Sequence, residues 1–197
     1  MSDVELTMIE TASGRYVDLT DPRPEAIDLA DIAHGLAHIC RYGGHARRFY
    51  SVAEHAVLVA RRLADLGFPA AVQLAGLHHD DAEAYIGDVP RPLKMLLPDF
   101  REIERRVTVA IDERLRLPGL DADETCAVKE ADDWALFVEA RVLMPSRGEG
   151  WTNAPAHVDQ PPWRLGLAAG FARAAWVRRH LQLVEAHDDD HRKATSV

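Results

Sequence analysis

An all-α helical bundle with a short β-hairpin at its N-terminus is the fold this sequence predicts, and three observations predict it. Hydrophobic residues make up 47% of the 197 and aromatics only 7%; Ala and Leu lead the apolar set, which favours helices over sheets. Apolar positions recur at three- and four-residue spacing along successive segments, the period of an amphipathic helix. Residues 9–20, IETASGRYVDLT, alternate instead, as a short hairpin does. At this length one domain can bury a sizeable core.

The elements follow in order. The hairpin turns at Ser13-Gly14, and DPRPEA breaks the pattern with two prolines. A first helix is predicted from about Leu29 to Cys40 with Asp28 as its cap. The paired glycines of Arg41–His45 mark a loop. Ser51 opens the next helix and Glu54 completes a capping box with it. Val52, Ala56, Val59, Leu63 and Leu66 form its stripe, with His55 on or beside it. Gly67-Phe68-Pro69 punctuates, and a third helix is expected to run through Tyr85. The segment Gly87–Pro92 is a loop before a short helix near Leu93–Leu97. Asp99 with Glu102, and Asp121 with Glu124, suggest two further capping boxes, the second opening a helix to about Met144. A long polar loop follows, then a last helix over roughly Trp163–Ala186, expected to dock on the core or form a subunit interface in a homo-oligomer. Residues 1–186 are read as one domain. The tail 187–197 is too polar to pack and is expected to be disordered.

Charge and composition exclude several classes. The net charge of −9 discourages binding to a nucleic-acid polymer. Cys40 and Cys126 show no CxxC spacing and no disulfide framework, so two reduced thiols are expected. No signal core opens the chain and no apolar run approaches 18 residues, which makes a cytoplasmic protein without a membrane span the expectation.

The chemistry concentrates in a few residues. Six of ten histidines lie between positions 34 and 79. Any one alone is most simply an ordinary core or surface histidine. His55, the adjacent pair His79-Asp80 and Asp132 form a set of another kind, because imidazole and carboxylate are the ligands divalent transition metals prefer. Helical spacing sets Asp132 among Val128, Ala135 and Leu136, where a carboxylate is costly without a cation or a hydrogen-bonding partner, and sets Asp133 beside Lys129. Glu83 lies one turn after His79 and Asp80, where a carboxylate can serve as general acid or base; a solvated surface Glu is the competing reading. Asp88 follows in a Gly-Asp loop, as a turn residue or a participant in catalysis.

Three strings carry a family resemblance. HHDDAEAYIGDVPRPLK (His78–Lys94) resembles the signature helix and loop of the HD-domain phosphohydrolases, particularly bacterial 5′-deoxynucleotidases and phage-type deoxynucleotide triphosphohydrolases. RYGGHARRFYSVAEH (Arg41–His55) and KEADDWALFVEAR (Lys129–Arg141) are similar to two other blocks of that group, in the same order. The resemblance spans about residues 10–145. It implies His55, His79, Asp80 and Asp132 as ligands of one divalent transition metal (Mn, Co, Fe or Zn), and Glu83 and Asp88 as catalytic residues. It implies Arg41 as a phosphate and sugar contact, with Tyr42 and Lys94 expected beside the substrate. Asp81 stands where such proteins often carry Ala. The activity so implied is removal of the 5′-phosphate of a deoxynucleoside monophosphate, a small-molecule nucleotide, by attack of a metal-bound hydroxide. Release of triphosphate from a deoxynucleoside triphosphate is the alternative, and a catalytically silent metal- and nucleotide-binding regulator a third reading. Hydrolysis of (p)ppGpp or a cyclic dinucleotide has weaker motif support. Arg47, Arg48 and Arg91 are further phosphate candidates, and Phe49, Tyr50 and Trp134 stand with Tyr42 as stacking or core aromatics.

Overall fold

The structure, a computed structural model, describes residues 6–195 and their side chains through residue 193. It is an all-α bundle with a short N-terminal hairpin. Strands β1 (Met8–Glu10) and β2 (Tyr16–Asp18) pair antiparallel with Ile9 opposite Val17. Gly14 turns the hairpin at φ 82°. The buried Asp31 of the first helix accepts hydrogen bonds from Thr11 Oγ1 (2.8 Å), Ser13 N (2.8 Å) and Ser13 Oγ (2.6 Å), which fastens the hairpin to the bundle.

The helices are α1 (Leu29–His38), α2 (Val52–Asp65), α3 (Ala70–His78), α4 (Glu83–Ile86), α5 (Arg91–Lys94), α6 (Pro98–Leu115), α7 (Ala122–Leu143) and α8 (Ala169–Thr195). Helix α2 is the centre, packing on α1, α3, α7 and α8. Ile32, Leu36, Ala56, Leu77 and Trp176 fill one side of it; Leu58, Val59, Leu63, Ala131 and Val138 fill the other. Each fully buried Leu contributes roughly 1.5–3 kcal/mol of apolar transfer, so this double-sided packing holds α2 rigidly as a platform.

Several ends differ from what spacing predicts. The third helix does not run through Tyr85; α3 stops at His78. His79 Nδ1 lies 2.9 Å from the Gly76 carbonyl, the oxygen that the Asp80 amide would engage in a continuing helix. The chain tightens into i→i+3 bonds, Asp81 N to His78 O (3.2 Å) and Glu83 N to Asp80 O (2.9 Å), before α4 begins. His79 and Asp80 therefore sit on a turn, which lets adjacent residues face one point.

At α2, Ser51 Oγ accepts from Glu54 N (3.2 Å), but Glu54 does not return the bond. Its buried carboxylate accepts from the amides of Gly166 (2.9 Å) and Leu167 (2.8 Å). Gly166 lies at φ 94°. That anchor and that backbone conformation are why α8 begins at Ala169 rather than Trp163. Helix α6 starts at Pro98, a residue suited to a first helical position, so Asp99 lies inside the first turn and no capping box forms there. Glu102 instead pairs with Arg105 and Arg106. The Asp121–Glu124 box forms fully.

The acidic tail also departs from expectation. Helix α8 continues past Ala186 to Thr195, carrying Arg192–Asp189 and Lys193–Asp190 pairs on its exposed surface, with Leu183 its last buried side chain. Ala and spaced opposite charges maintain a helix without burial. Residues 196 and 197 lie outside the described residues. Among the described residues no helix is long and apolar enough to cross a membrane.

Candidate metal centre

Three segments converge at the first turn of α2. Helix α2 supplies His55, whose side chain is fully buried; the turn after α3 supplies His79 and Asp80; helix α7 supplies Asp132. One ligand atom each from His55, His79 and Asp80 lies within 4.8 Å of the other two, so this cluster can hold a metal ion. His55 Nε2 is 3.3 Å from His79 Nε2 and 3.5 Å from Asp80 Oδ2, and His79 Nε2 is 3.1 Å from Asp80 Oδ2. Asp132 Oδ1 stands 3.2 Å from His55 Nε2 and 3.8 Å from His79 Nε2. Donor atoms about 2.1 Å from one ion are separated from each other by about 3.0–3.4 Å, so the donor set and its spacing fit a divalent cation.

The charges are balanced accordingly. Burial and Arg41 oppose protonation of His55, but Glu139 and Asp132 outweigh them and raise its pKa. Burial likewise opposes protonation of His79; Asp80 and Asp132 carry it well above the ordinary value. Asp80 and Asp132 resist the upward push of burial and are held below the usual carboxylate range by those two imidazoles. Both histidines are thereby disposed toward the protonated form, and a metal bound here would compete with protons for the same nitrogens. Asp133 points elsewhere: it is 41% exposed and pairs with Arg91 (3.0 Å) and Lys129 (3.5 Å).

A cavity of about 580 Å³ opens beside Asp80 and Asp132. Arg41, Tyr42, Glu83, Asp88, Lys94 and Trp151 are among its walls. Glu83 is 3% exposed; burial first, then Asp80 and Asp88, push its pKa up to about 9 against Lys94 and Arg41. In the metal-free protein this favours the protonated carboxyl at neutral pH, and its Oε2 is buried without a hydrogen-bond partner. Burial also raises Asp88, opposed by Arg41. Lys94 Nζ bonds Glu104 (2.6 Å) and reaches Glu83 (3.4 Å). A second cavity of about 430 Å³, walled by Arg101, Arg105 and Thr108 of α6, reaches the same His79, Asp80 and Glu83 from another side.

Arg47 and Arg48 are exposed and do not line either cavity. Tyr50 is fully buried and Trp134 donates to Asp159 (2.9 Å), so of the predicted aromatics Tyr42 alone faces the large cavity. Asp81 is buried; its Oδ2 bonds His78 Nδ1 (2.5 Å), and His78 Nε2 meets His180 Nδ1 of α8 (2.9 Å). This chain of contacts ties the turn that carries His79 and Asp80 to the last helix.

Two residues escaped sequence reasoning. Trp151, in the loop expected to be merely polar, lies 6.3 Å centroid to centroid from Tyr42 at the cavity wall; nothing in its local pattern sets it apart. Glu139 is fully buried on α7 and bonds His55, Tyr50, Tyr42 and Arg41 together. Its spacing was a usable signal, since it lies two turns beyond Asp132 among apolar residues.

No family model matches the chain. An uncharacterized protein of Escherichia coli K12, YfdR, is 37% identical over 146 residues, which cover 74% of this chain and 78% of YfdR. An uncharacterized protein of Rhodobacter capsulatus, RCAP_rcc00048, is 40% identical over 189 residues, covering 88% and 94%. The chain belongs to the family of these two proteins. For this YfdR-like chain the metal-compatible cluster is the chemical feature that burial and electrostatics single out, because its buried charges need one another or a cation.

Proposed function

We propose that this chain is a divalent-metal-dependent nucleotide phosphohydrolase of the HD-domain type, removing the 5′-phosphate of deoxynucleoside monophosphates. One observation carries the reading: a two-histidine, two-aspartate donor set opens onto a cavity that also holds a protonated buried glutamate, a buried arginine and an aromatic pair. His55, His79, Asp80 and Asp132 would hold the ion. A divalent cation supplies polarisation of phosphoryl oxygens and acidification of water.

The chain's own residues do the rest. Arg41 stays charged: burial opposes that charge, and Glu139 foremost offsets it, so its guanidinium suits a phosphate. Glu83 holds a proton at neutral pH and can deliver it to the departing 5′-oxygen, a role needing a carboxyl with a raised pKa. Asp88 orients water or phosphate from the Gly87 turn. Tyr42 and Trp151 offer faces on which a base stacks, worth about 1–3 kcal/mol. Tyr42 adopts φ 60°, unfavourable for a bulky residue, and is held there by its hydroxyl donating to Glu139 Oε2 (2.9 Å).

A second reading, release of triphosphate from a deoxynucleoside triphosphate, is favoured by the α6 cavity, where Arg101 and Arg105 could receive a longer phosphate chain. Chromatography of products from a panel of mono- and triphosphates with Mn²⁺ or Co²⁺ separates the two by whether phosphate or triphosphate leaves. No turnover of any nucleotide would reject both. A Glu83→Ala variant that keeps metal but loses hydrolysis would set aside a binding-only protein.

A further inference from the structure

We infer that Glu139 is a positioning residue: one buried carboxylate aims the metal-facing nitrogen of His55 and simultaneously sets the Arg41–Tyr42 wall of the substrate cavity. This rests on the metal-centre reading proposed above. The geometry is unusual in its completeness. Oε1 lies 2.6 Å from His55 Nδ1 and accepts the Tyr50 hydroxyl at 3.0 Å. Oε2 accepts Arg41 Nε at 3.2 Å and the Tyr42 hydroxyl at 2.9 Å. Four donors meet the roughly four lone-pair directions of an ionised carboxylate, and the side chain has no exposure.

The chemistry on the His55 ring follows from which nitrogen this contact uses. A carboxylate can only accept, so His55 Nδ1 must carry the hydrogen. Nε2 is left to face His79, Asp80 and Asp132, and its lone pair is the one available to a cation. The neighbouring negative charge makes that ring a stronger donor, as carboxylates behind ligating histidines do. His79 is aligned differently, by the Gly76 carbonyl, a neutral acceptor. The two imidazoles are therefore unequal, and Glu139 controls the stronger.

The other half of the carboxylate acts on substrate. Arg41 is gripped through Nε, leaving its terminal nitrogens toward Asp80, with Nη1 3.6 Å from Oδ2, and toward the cavity. Tyr42, in its left-handed backbone conformation, depends on the same oxygen. Removing the charge at 139 loosens a metal ligand and the anion-binding wall together.

Calorimetric titration of Mn²⁺ into metal-free wild type and Glu139→Gln tests this, with circular dichroism confirming equal folding. The expected result is one site in the wild type and a 10- to 100-fold weaker site in the variant, with inorganic phosphate inhibiting the variant's residual turnover at higher concentration. Wild-type binding with Glu139→Gln within threefold of it would overturn the inference and leave the metal reading standing. A wild type that binds no divalent ion would overturn both. Should the variant not fold, nitrogen-15 NMR of the Zn²⁺-loaded wild type decides alone: Nε2 ligation with a protonated Nδ1 on His55 supports the inference, and Nδ1 ligation refutes it.

Discussion

Replacing Glu83 by Gln should stabilise the metal-free protein while removing its activity. The ordinary Glu pKa is 4.5, and in the fold burial, then Asp80 and Asp88, push it up to about 9. Below pH 4.5 the carboxyl is neutral folded and unfolded, so its burial costs nothing in charge. As pH rises from 4.5 toward 9 the unfolded chain releases the proton and the folded one does not, so stability falls by up to about 1.4 kcal/mol per pH unit. At pH 8 the upper bound is about 5 kcal/mol. Water reaching a group that lines two cavities reduces this to about 2 kcal/mol. Gln keeps the shape without the titration, and Lys94 retains Glu104 at 2.6 Å. For a protein of this size about 2 kcal/mol is a rise in Tm of about 4–8 °C. Thermal melts with chelator at pH 5 and pH 8 check it: the variant should gain at pH 8 and gain little at pH 5. A variant that melts at or below the wild type at pH 8 would show that Glu83 is ionised in the folded state, and its assignment as proton donor would fail.

Four further outcomes are expected. Asp132→Asn should weaken Mn²⁺ binding at least 100-fold by calorimetry while Asp133→Asn stays within threefold, since Asp132 alone of the two meets both histidines. Saturating divalent metal at 100 times its Kd should stabilise the wild type by about 2.7 kcal/mol, a rise in Tm of about 5–11 °C that chelator reverses; an unchanged melt would count against the site. Trp151→Ala should raise KM for a nucleotide about 5- to 150-fold, the loss of one stacked base, while inhibition by inorganic phosphate is unaffected; equal effects on both would place Trp151 away from the base. Gly35→Ala should cost about 1–3 kcal/mol in urea unfolding, because the new Cβ would lie 2.8 Å from the Ala84 carbonyl oxygen and 2.9 Å from its Cβ.

Periodicity made the bundle legible, and capping chemistry made the starts of α1, α2 and α7 legible, because both are local. What failed to show was wherever a side chain from afar took over a local bond. His79 Nδ1 competes for the Gly76 carbonyl and ends α3 seven residues before Tyr85. Glu54 leaves its capping box for amides 112 and 113 residues away, and so delays α8. The order of Pro98 and Asp99 moved the start of α6 by two residues, from Phe100 to Pro98, and cost the expected cap. In the site, the residues brought to the donor set were those singled out by type and spacing, and Trp151 came from a loop whose pattern says nothing.

Glu139 marks the boundary between what was readable and what was read. On α7, Asp132, Ala135 and Glu139 fall at i, i+3 and i+7, so the two acids share one face. The burial cost that favoured Asp132 over Asp133 applies with greater force to Glu139, which stands among buried Phe137, Val138 and Ala140. A buried acid demands donors, and the donors proved to be His55 of the candidate metal cluster, an arginine and two tyrosines, all from the Arg41–His55 segment. That segment contains Arg41, the proposed phosphate contact, and His55, the proposed first metal ligand, fourteen residues apart with paired glycines between. Without an acceptor behind them, these two groups would hold their spacing only as well as a glycine-rich loop can. One carboxylate on α7 converts that loop into a fixed wall, which is why the site's geometry depends on a residue that touches neither cavity.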